Sequence, residues 1–288
     1  MHKYETPEIA EMGGLVVNAG FIIGVLTYIG LSTFYFKHNA NLIYILAAIS
    51  TCLIIMLIGI MDDLLGWKIG LKRWQKPLLT SVAALPMMVV NAGESEMVLP
   101  MMGVVNSGIL YPLVIVPVAI TGAANGFNML AGLAGLEAGM GIIILGTLGL
   151  VAWQSSSSWV AMLSLSMVFA LLAFLKYNWN PAKVFPGDTL TYSVGALIAT
   201  VAILGNMERI AIALFSLYFI ELLIKARTRF KGECYGVPDS EGRLSPPRNV
   251  ESLTHVAMKL GKPGEARVVA SILAFQIFLS FLILLLWV

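Results

Sequence analysis

Charged residues are scarce in this chain of 288 residues. Asp, Glu, Lys and Arg make up 12% of it, whereas an average soluble protein carries about 25%. Hydrophobic residues reach 58% and the mean hydropathy is +0.86, which excludes a soluble globular fold. The 18 basic and 16 acidic residues leave a net charge of +2, so the composition gives no sign of nucleic-acid binding.

Cysteine is nearly absent as well. Cys52 lies in an apolar run and Cys234 in a polar stretch, so the two make neither a disulfide framework nor a metal cluster. Information about function must therefore come from the positions of the few charged and amide side chains.

Long uncharged runs, in contrast, fill most of the chain. A helix needs about 20 predominantly apolar residues to cross the hydrocarbon core of a membrane. Each of the runs is apolar all round, as a helix in lipid must be. The sequence predicts a single all-α domain over residues 1–288, a polytopic bundle with nine spans at 12–36, 41–61, 77–93, 109–124, two within 138–175, 189–205, 210–224 and 268–288.

The loops between these runs differ sharply in positive charge. When the loops are taken alternately, one set holds all but two of the 18 Lys and Arg residues, and the exceptions are Lys37 and Arg209. Positive residues concentrate in cytoplasmic loops. We therefore expect a cytoplasmic N-terminus, a C-terminus on the other side, and a large cytoplasmic loop at 225–267.

Polar side chains collect on that same predicted face. Asp62 and Asp63 end the second span, the segment 125–128 follows the fourth, and Gly187-Asp188 opens the seventh. Ionisable groups at membrane level are functional candidates. An alternating-access transporter would place them near the midplane, so this pattern favours an enzyme with one substrate from the cytoplasm and one from lipid. A transporter of a nucleotide-sugar or a lipid-linked sugar is the alternative from another class.

The acidic pair has two interpretations. Asp62 and Asp63 could mark a plain helix end, but adjacent carboxylates resist joint ionisation unless a cation is near. Several cations follow closely in the sequence: Lys68, Lys72, Arg73 and Lys76. We expect the pair to remove a proton or to bind a metal ion.

The other polar groups also have structural alternatives. Asp188 could be a helix N-cap, for which Asp is a favoured residue. Asn125 and Asn128, spaced i and i+3, share a helix face, where they could either ligate a hard cation or join membrane helices by hydrogen bonds. His255, ahead of a short apolar segment, could contact a phosphate or cap a surface helix.

In order along the chain, these motifs resemble those of the polyprenyl-phosphate N-acetylhexosamine-1-phosphate transferase superfamily. Within it they are most similar to the dolichyl-phosphate N-acetylglucosamine-phosphotransferase branch of archaea and eukaryotes. The resemblance is carried by four blocks: TPEIAEMGG at 6–14, MDDLLGWKIGLKRWQKP at 61–77, NGFNMLAGLAGLEAG at 125–139 and PAKVFPGDT at 181–189.

This resemblance implies a reaction. Members of the superfamily transfer a sugar-1-phosphate from a UDP-sugar to a polyprenyl phosphate, release UMP and use Mg²⁺. The expected reaction is transfer of N-acetylglucosamine-1-phosphate from UDP-N-acetylglucosamine to dolichyl or polyprenyl phosphate, the first step of lipid-linked oligosaccharide assembly for protein N-glycosylation. Another UDP-N-acetylhexosamine, used for a cell-surface polymer, stays open as the donor.

The resemblance also implies roles for individual residues. Asp188 and Asn128 match the Mg²⁺ ligands, and Asp62 and Asp63 match an acidic pair that deprotonates or orients the lipid phosphate. Lys72 matches a lysine that contacts phosphate. The remaining matches border the substrates: Asn125 in the active site, Gly132 and Phe185 in the uracil pocket, Lys3 and Glu11 beside the nucleotide, and Arg248 or His255 as a phosphate contact in the loop 225–267.

Further expectations concern context. The superfamily has ten helices, and this chain begins at the segment that follows the first of them, so nine spans are expected. The branch suggests an archaeal source and a multi-pass protein of the cell membrane in contact with its lipids. The sequence leaves the oligomeric state open, a homodimer included.

Overall fold

The computed structural model describes residues 8–99, 103–261 and 263–287, and most of them are helical. The α-helices are α1 (Gly14–Leu31), α2 (Leu42–Ile69), α3 (Gln75–Val82), α4 (Leu85–Val89), α5 (Val116–Met129), α6 (Leu136–Gln154), α7 (Ser158–Asn178), α8 (Gly187–Leu204), α9 (Glu208–Leu214), α10 (Ser216–Arg227), α11 (Leu253–Met258) and α12 (Glu265–Trp287). Two antiparallel hairpins pair β1 (Glu96–Leu99) with β2 (Gly103–Asn106), and β3 (Val237–Pro238) with β4 (Leu244–Ser245).

Within the described ranges, seven helical segments are long and apolar enough to cross a membrane. They are Gly14–Phe36, Leu42–Gly66, Tyr111–Met129, Leu136–Gln154, Ser158–Asn178, Gly187–Leu204 and Glu265–Leu286. The prediction of an all-α, polytopic membrane bundle is therefore confirmed. The count of nine spans stays a prediction, because the two other expected spans are each built from two shorter helices, α3 with α4 and α9 with α10.

The interruptions in these two segments have local causes. Helix α3 ends at Val82, four residues before Pro86. Proline has no N–H, so Pro86 cannot donate to the carbonyl of Val82 and continue the helical hydrogen bonds. Between α9 and α10 the N–H of Tyr218 donates to the carbonyl of Phe215 at 2.9 Å instead of to that of Leu214, so the regular ladder is interrupted there. The buried Gln276 side chain of α12 donates to the carbonyl of Leu214 at 3.1 Å, so a backbone acceptor near the break is satisfied by a neighbouring helix.

Helix α8 forms the centre of the bundle. Every residue from Thr189 to Ile203 is buried, and the helix packs against α2 and α5. Two glycines make these approaches close. A Cβ atom on Gly59 of α2 would lie 2.5 Å from the Cα of Thr189, and one on Gly195 would lie 2.4 Å from the carbonyl oxygen of Ala123 in α5. The end of α2 that carries the acidic pair is thereby held against the start of α8.

Candidate active site

A sharp turn in α2 shapes the site. Gly66 has φ +70° and ψ 170°, a conformation that is open only to glycine, and it lies one turn beyond the acidic pair. After this turn the N–H of Leu71 donates to Asp62 Oδ1 at 2.9 Å. The chain therefore folds back on α2, and the start of α3 returns to the carboxylates.

Lys76, near the start of α3, joins the carboxylate of Asp62 in α2 to that of Asp188 in α8. Its Nζ lies 2.7 Å from Asp62 Oδ2 and 2.9 Å from Asp188 Oδ2. The hydroxyl of Tyr192, one turn along α8 from Asp188, donates to Asp62 Oδ2 at 3.2 Å. Burial lowers the pKa of Lys76, but Asp188 and Asp62 outweigh this effect and hold the pKa above its ordinary value, so the ammonium stays charged.

Asp63 caps the N-terminus of α8 from outside that helix. Its carboxylate accepts hydrogen bonds from the N–H of Asp188 at 2.7 Å, and from the N–H and hydroxyl of Thr189 at 3.0 and 2.6 Å. Gly187 has φ +72°, and a Cβ atom there would lie 2.5 Å from Asp63 Oδ2. Asp63 thus fixes the backbone that presents the Asp188 side chain, while Asp188 pairs with Lys76 and does not itself cap the helix.

The two asparagines at the end of α5 have different surroundings. Asn128 lines the same cavity as the carboxylates, and its Oδ1 accepts a hydrogen bond from Thr191 at 3.1 Å. Asn125 donates to the Thr80 hydroxyl of α3 and to the carbonyl of Thr121, both at 2.8 Å. Asn125 therefore joins two helices by a hydrogen bond and is not among the residues that line the cavity.

The cavity at this end of the bundle has a volume of about 520 Å³. Its described charged side chains comprise six acids and one lysine: Glu11, Asp62, Asp63, Glu137, Asp188 and Glu233, with Lys76. An anionic substrate would be repelled by this surplus of negative charge unless a cation entered with it.

A second cavity, of about 1070 Å³, adjoins the first. Gly132 and Tyr235 line both. The N–H of Gly132 donates to Glu137 Oε1 at 2.6 Å, and a Cβ atom on Gly132 would lie 2.8 Å from the Tyr235 ring. The φ of +134° at Gly132 and this close contact both require glycine. The predicted uracil-pocket residue Phe185 lines the first cavity.

The loop after α10 is anchored beneath Tyr235. The Cys234 thiol donates to the carbonyl of Met129 at 3.3 Å, and Thr254 Oγ1 donates to the carbonyl of Cys234 at 2.6 Å. His255 is buried, with Nε2 2.9 Å from the carbonyl of Tyr235 and Nδ1 accepting from the N–H of Glu251 at 3.1 Å. Burial lowers the pKa of His255. Both ring nitrogens are occupied within the loop, which favours the structural interpretation of this residue.

The remaining predicted site residues are dispersed. Glu11 is exposed and lines the first cavity. Lys72 and Arg248 are exposed and are not among the residues that line either cavity. Lys3 lies outside the described residues. The structure therefore brings together Asp62, Asp63, Asn128, Gly132, Phe185, Asp188 and Glu11, and leaves Lys72, Asn125, Arg248 and His255 away from the cavity lining.

The lining residues without a predicted role include Lys76, Thr191 and Tyr235. Lys76 stands four residues after Lys72, and the chain that folds back after the turn at Gly66 brings Lys76 to the acids. Thr191 lies at i+3 from Asp188, so helical spacing could have identified it. Tyr235 had no signal, because its position follows from the folding of the loop over Gly132.

The donor set can be compared with the needs of Mg²⁺. Among the described residues, no three His, Cys, Asp or Glu side chains form a complete metal cage. A Mg²⁺ ion commonly takes one or two protein oxygens and completes its shell with phosphates and water. Asp188 and Asn128 offer a carboxylate and a carboxamide oxygen to one cavity, with Asp62 beside them, and this partial set fits such an ion.

The spanning helices and the acidic cavity at one end define a polytopic membrane protein with a polar site where the helices end. Residues 43–206 match the family described as glycosyl transferase family 4. The chain belongs to this family, whose members are transferases.

Three relatives share most of this chain. A Saccharolobus solfataricus protein, provisionally named UDP-N-acetylglucosamine–dolichyl-phosphate N-acetylglucosaminephosphotransferase, is 36% identical over 93% of this chain and 81% of its own length. A Sulfolobus acidocaldarius protein with the same provisional name is 33% identical, over 98% and 85%. The Dictyostelium discoideum enzyme of that name is 28% identical, over 86% of this chain and 65% of its own length.

Proposed function

We propose that this protein transfers N-acetylglucosamine-1-phosphate from UDP-N-acetylglucosamine to dolichyl or another polyprenyl phosphate and releases UMP. The names of the relatives support the donor and the acceptor. The observation that carries the proposal is the cluster of Asp62, Asp188 and Lys76 in a cavity at the end of a membrane bundle. A lipid phosphate has its charge at the membrane surface and its tail in the bilayer. A site where the spanning helices end can accept the charged group while the tail stays among lipids.

We propose Mg²⁺ as the cofactor, with Asp188 and Asn128 as its protein ligands. Bound there, the ion would neutralise charge on the diphosphate. The acidic surplus of the cavity supports this requirement, because two anionic substrates must meet beside several carboxylates. Lys76 would supply further positive charge next to the phosphates.

The reaction is proposed to be a direct displacement. An oxygen of the lipid phosphate forms a bond to the β-phosphorus, the bond between that phosphorus and the bridging oxygen breaks, and UMP leaves with the electron pair. A phosphate monoester has a second pKa of about 6, so the acceptor is mostly ionised at neutral pH and needs no strong base. We therefore assign orientation to the acidic pair: Asp63 holds the start of α8, and Asp62 holds Lys76.

The nucleotide is proposed to lie near Gly132 and Phe185, with Glu11 at the border of the same cavity. Lys72 would contact a phosphate from outside the cavity lining. The loop 225–267 contributes Tyr235, and its His255 supports the loop from within.

The active site is proposed to face the cytoplasm. The alternation of positive charge between loops supports this orientation, since the basic loops lie at the end of the bundle that holds the cavity. We further propose a single transferase domain in the cell membrane of an archaeal source, where the product would begin lipid-linked oligosaccharide assembly.

The first experiment measures UMP release by the purified protein in detergent. UDP-N-acetylglucosamine, dolichyl phosphate and Mg²⁺ are supplied together and then omitted one at a time. We expect release only when all three are present. Release with a different UDP-sugar would replace the donor and keep the reaction. A covalent sugar-phosphate trapped on Asp62 or Asp63 would overturn direct displacement.

A further inference from the structure

Lys76 lies where two carboxylates would otherwise face each other. The Lys76 ammonium lies 2.7 Å from Asp62 Oδ2 and 2.9 Å from Asp188 Oδ2, so the two carboxylates meet at one cation. Two neighbouring carboxylates favour a cation between them, and an ammonium and a divalent metal ion can both meet that need. The lysine is thus a built-in cation beside the oxygens offered to Mg²⁺.

The two carboxylates that Lys76 contacts differ in the hydrogen bonds that they would retain if the ammonium moved away. Asp62 also accepts hydrogen bonds from Leu71 and Tyr192, so it stays satisfied when the ammonium leaves. The side chain of Asp188 is fixed chiefly by Lys76, whereas its backbone is held by Asp63. A cation that takes over Asp188 can therefore displace Lys76 without loosening α8.

The lysine backbone is held while its side chain can move. The Thr80 hydroxyl donates to the carbonyl of Lys76 at 2.9 Å, and Asn125 of α5 donates to that hydroxyl, so the first turn of α3 is tied to the bundle. The Lys76 side chain is 25% exposed and borders the cavity. Rotation about its side-chain bonds would carry the ammonium from Asp188 into the cavity.

We propose that the Lys76 ammonium competes with the divalent cation for Asp188, and that the displaced ammonium then binds an anionic oxygen of the substrate diphosphate. The second half rests on the proposed function. Before the metal ion binds, Lys76 would reduce the repulsion between the two carboxylates. After the metal ion has bound, its ammonium would lie next to the phosphates.

The competition is tested by Mn²⁺ binding without substrate, with free Mn²⁺ counted by electron paramagnetic resonance. Lys76→Met removes the charge and keeps a long side chain, and Arg73→Met is the matched control, an exposed cation three residues away that lines neither cavity. We expect Lys76→Met to bind Mn²⁺ about tenfold more tightly than the wild type, since a competing charge is lost, and Arg73→Met to bind it as the wild type does. Unchanged or weaker binding by Lys76→Met would overturn the competition.

A charge-retaining variant keeps the test decisive if Lys76→Met does not fold. Lys76→Arg places a guanidinium in the same position and should bind Mn²⁺ no more tightly than the wild type. Tighter binding by this variant would contradict the proposal. Thermal unfolding in detergent, with and without Mg²⁺, shows which variants are folded.

The phosphate contact is tested by kinetics at saturating Mg²⁺. We expect Lys76→Met to reduce kcat/KM for the UDP-sugar by about 100-fold, because charge next to the transferring phosphorus is lost. A wild-type value would remove the phosphate contact and leave the competition intact. If the wild type itself released no UMP with any UDP-sugar, the proposed function would fail, and the Mn²⁺ comparison would still decide the competition.

Discussion

The two ends of the helical bundle both carry acidic residues, but these residues are paired in different ways. At the end opposite the cavity, Glu208 accepts a hydrogen bond from Tyr111, and Glu94 accepts one from Asn206 at 3.1 Å. These donors are neutral, and each acid has its own. At the cavity end, Asp62 and Asp188 share the ammonium of Lys76.

This difference distinguishes acids that stabilise the fold from acids that can take part in the reaction. An acid that accepts a hydrogen bond from its own neutral partner joins two segments of the chain. Carboxylates that converge on one cation beside a 520 Å³ cavity keep charge available for exchange with another cation. Substitutions at the first end should therefore change stability alone, whereas those at the cavity end should change turnover first.

The largest effect is expected for Asp188→Ala. This change removes a proposed metal ligand and the partner of Lys76, and we expect turnover to fall by about 10³-fold or more while the fold is kept. UMP release and thermal unfolding measure the two properties. A variant that retained a near-wild-type rate would remove the metal assignment and much of the contrast between the two ends.

Asp63→Asn should have the next largest effect. The amide keeps one acceptor oxygen but loses the charge that caps α8, so we expect turnover to fall by about 10- to 100-fold and stability by about 1 kcal/mol. Rate and melting temperature should decline together. Loss of rate without any loss of stability would mean that Asp63 acts on substrate and is not a positioning residue.

Gly187→Ala and Gly103→Ala form a matched pair across the two ends. Both glycines have positive φ, +72° and +74°, so either change strains the backbone by about 1–2 kcal/mol. Only at Gly187 would the new Cβ also meet a carboxylate, that of Asp63 at 2.5 Å, whereas nothing lies within 4 Å of it at Gly103. We expect Gly187→Ala to lower turnover about tenfold.

The control in this pair is decisive. Gly103→Ala should lower the melting temperature and leave UMP release unchanged, because β2 lies at the far end of the bundle. Equal losses of turnover in both variants would show that backbone strain alone, and not the displaced Asp63 carboxylate, affects the rate.

The smallest effect on activity is expected for Tyr111→Phe. This change removes the hydroxyl bonded to Glu208 and should destabilise the protein by about 1–3 kcal/mol, since it leaves a half-buried acid without that donor. UMP release per folded molecule should equal that of the wild type. A large fall in this specific rate would mean that the two ends are coupled.

The broad arrangement could be predicted from the sequence because it depends on local patterns. Apolar runs predicted the positions of the spanning helices, and their alternation predicted that the ends of α2 and α5 and the start of α8 lie on one face. The family resemblance then singled out Asp62, Asp63, Asn128 and Asp188, and these four residues line one cavity. The helical content and polytopic character follow from composition and periodicity alone.

What escaped prediction depends on contacts between distant segments. The lysine that reaches the carboxylates is set by the turn at Gly66, which rotates everything after it relative to α2. The capping of α8 by Asp63 requires the close packing of Gly59 on that helix. The sequence left His255 with two interpretations, a phosphate contact or the cap of a surface helix, and in the structure its ring is bonded on both sides within the loop. None of these contacts produces a periodic pattern in the sequence from which it could be predicted.

The complete burial of α8 has a consequence for how the protein responds to its membrane. Helices at the rim, such as α1 and α12, expose apolar side chains including Ile23 and Leu285 and must adjust their tilt when bilayer thickness changes. Helix α8 has other helices on all sides from Thr189 to Ile203. The rim absorbs such adjustments, and Asp188 keeps its place relative to Asp62 in membranes of differing acyl-chain length.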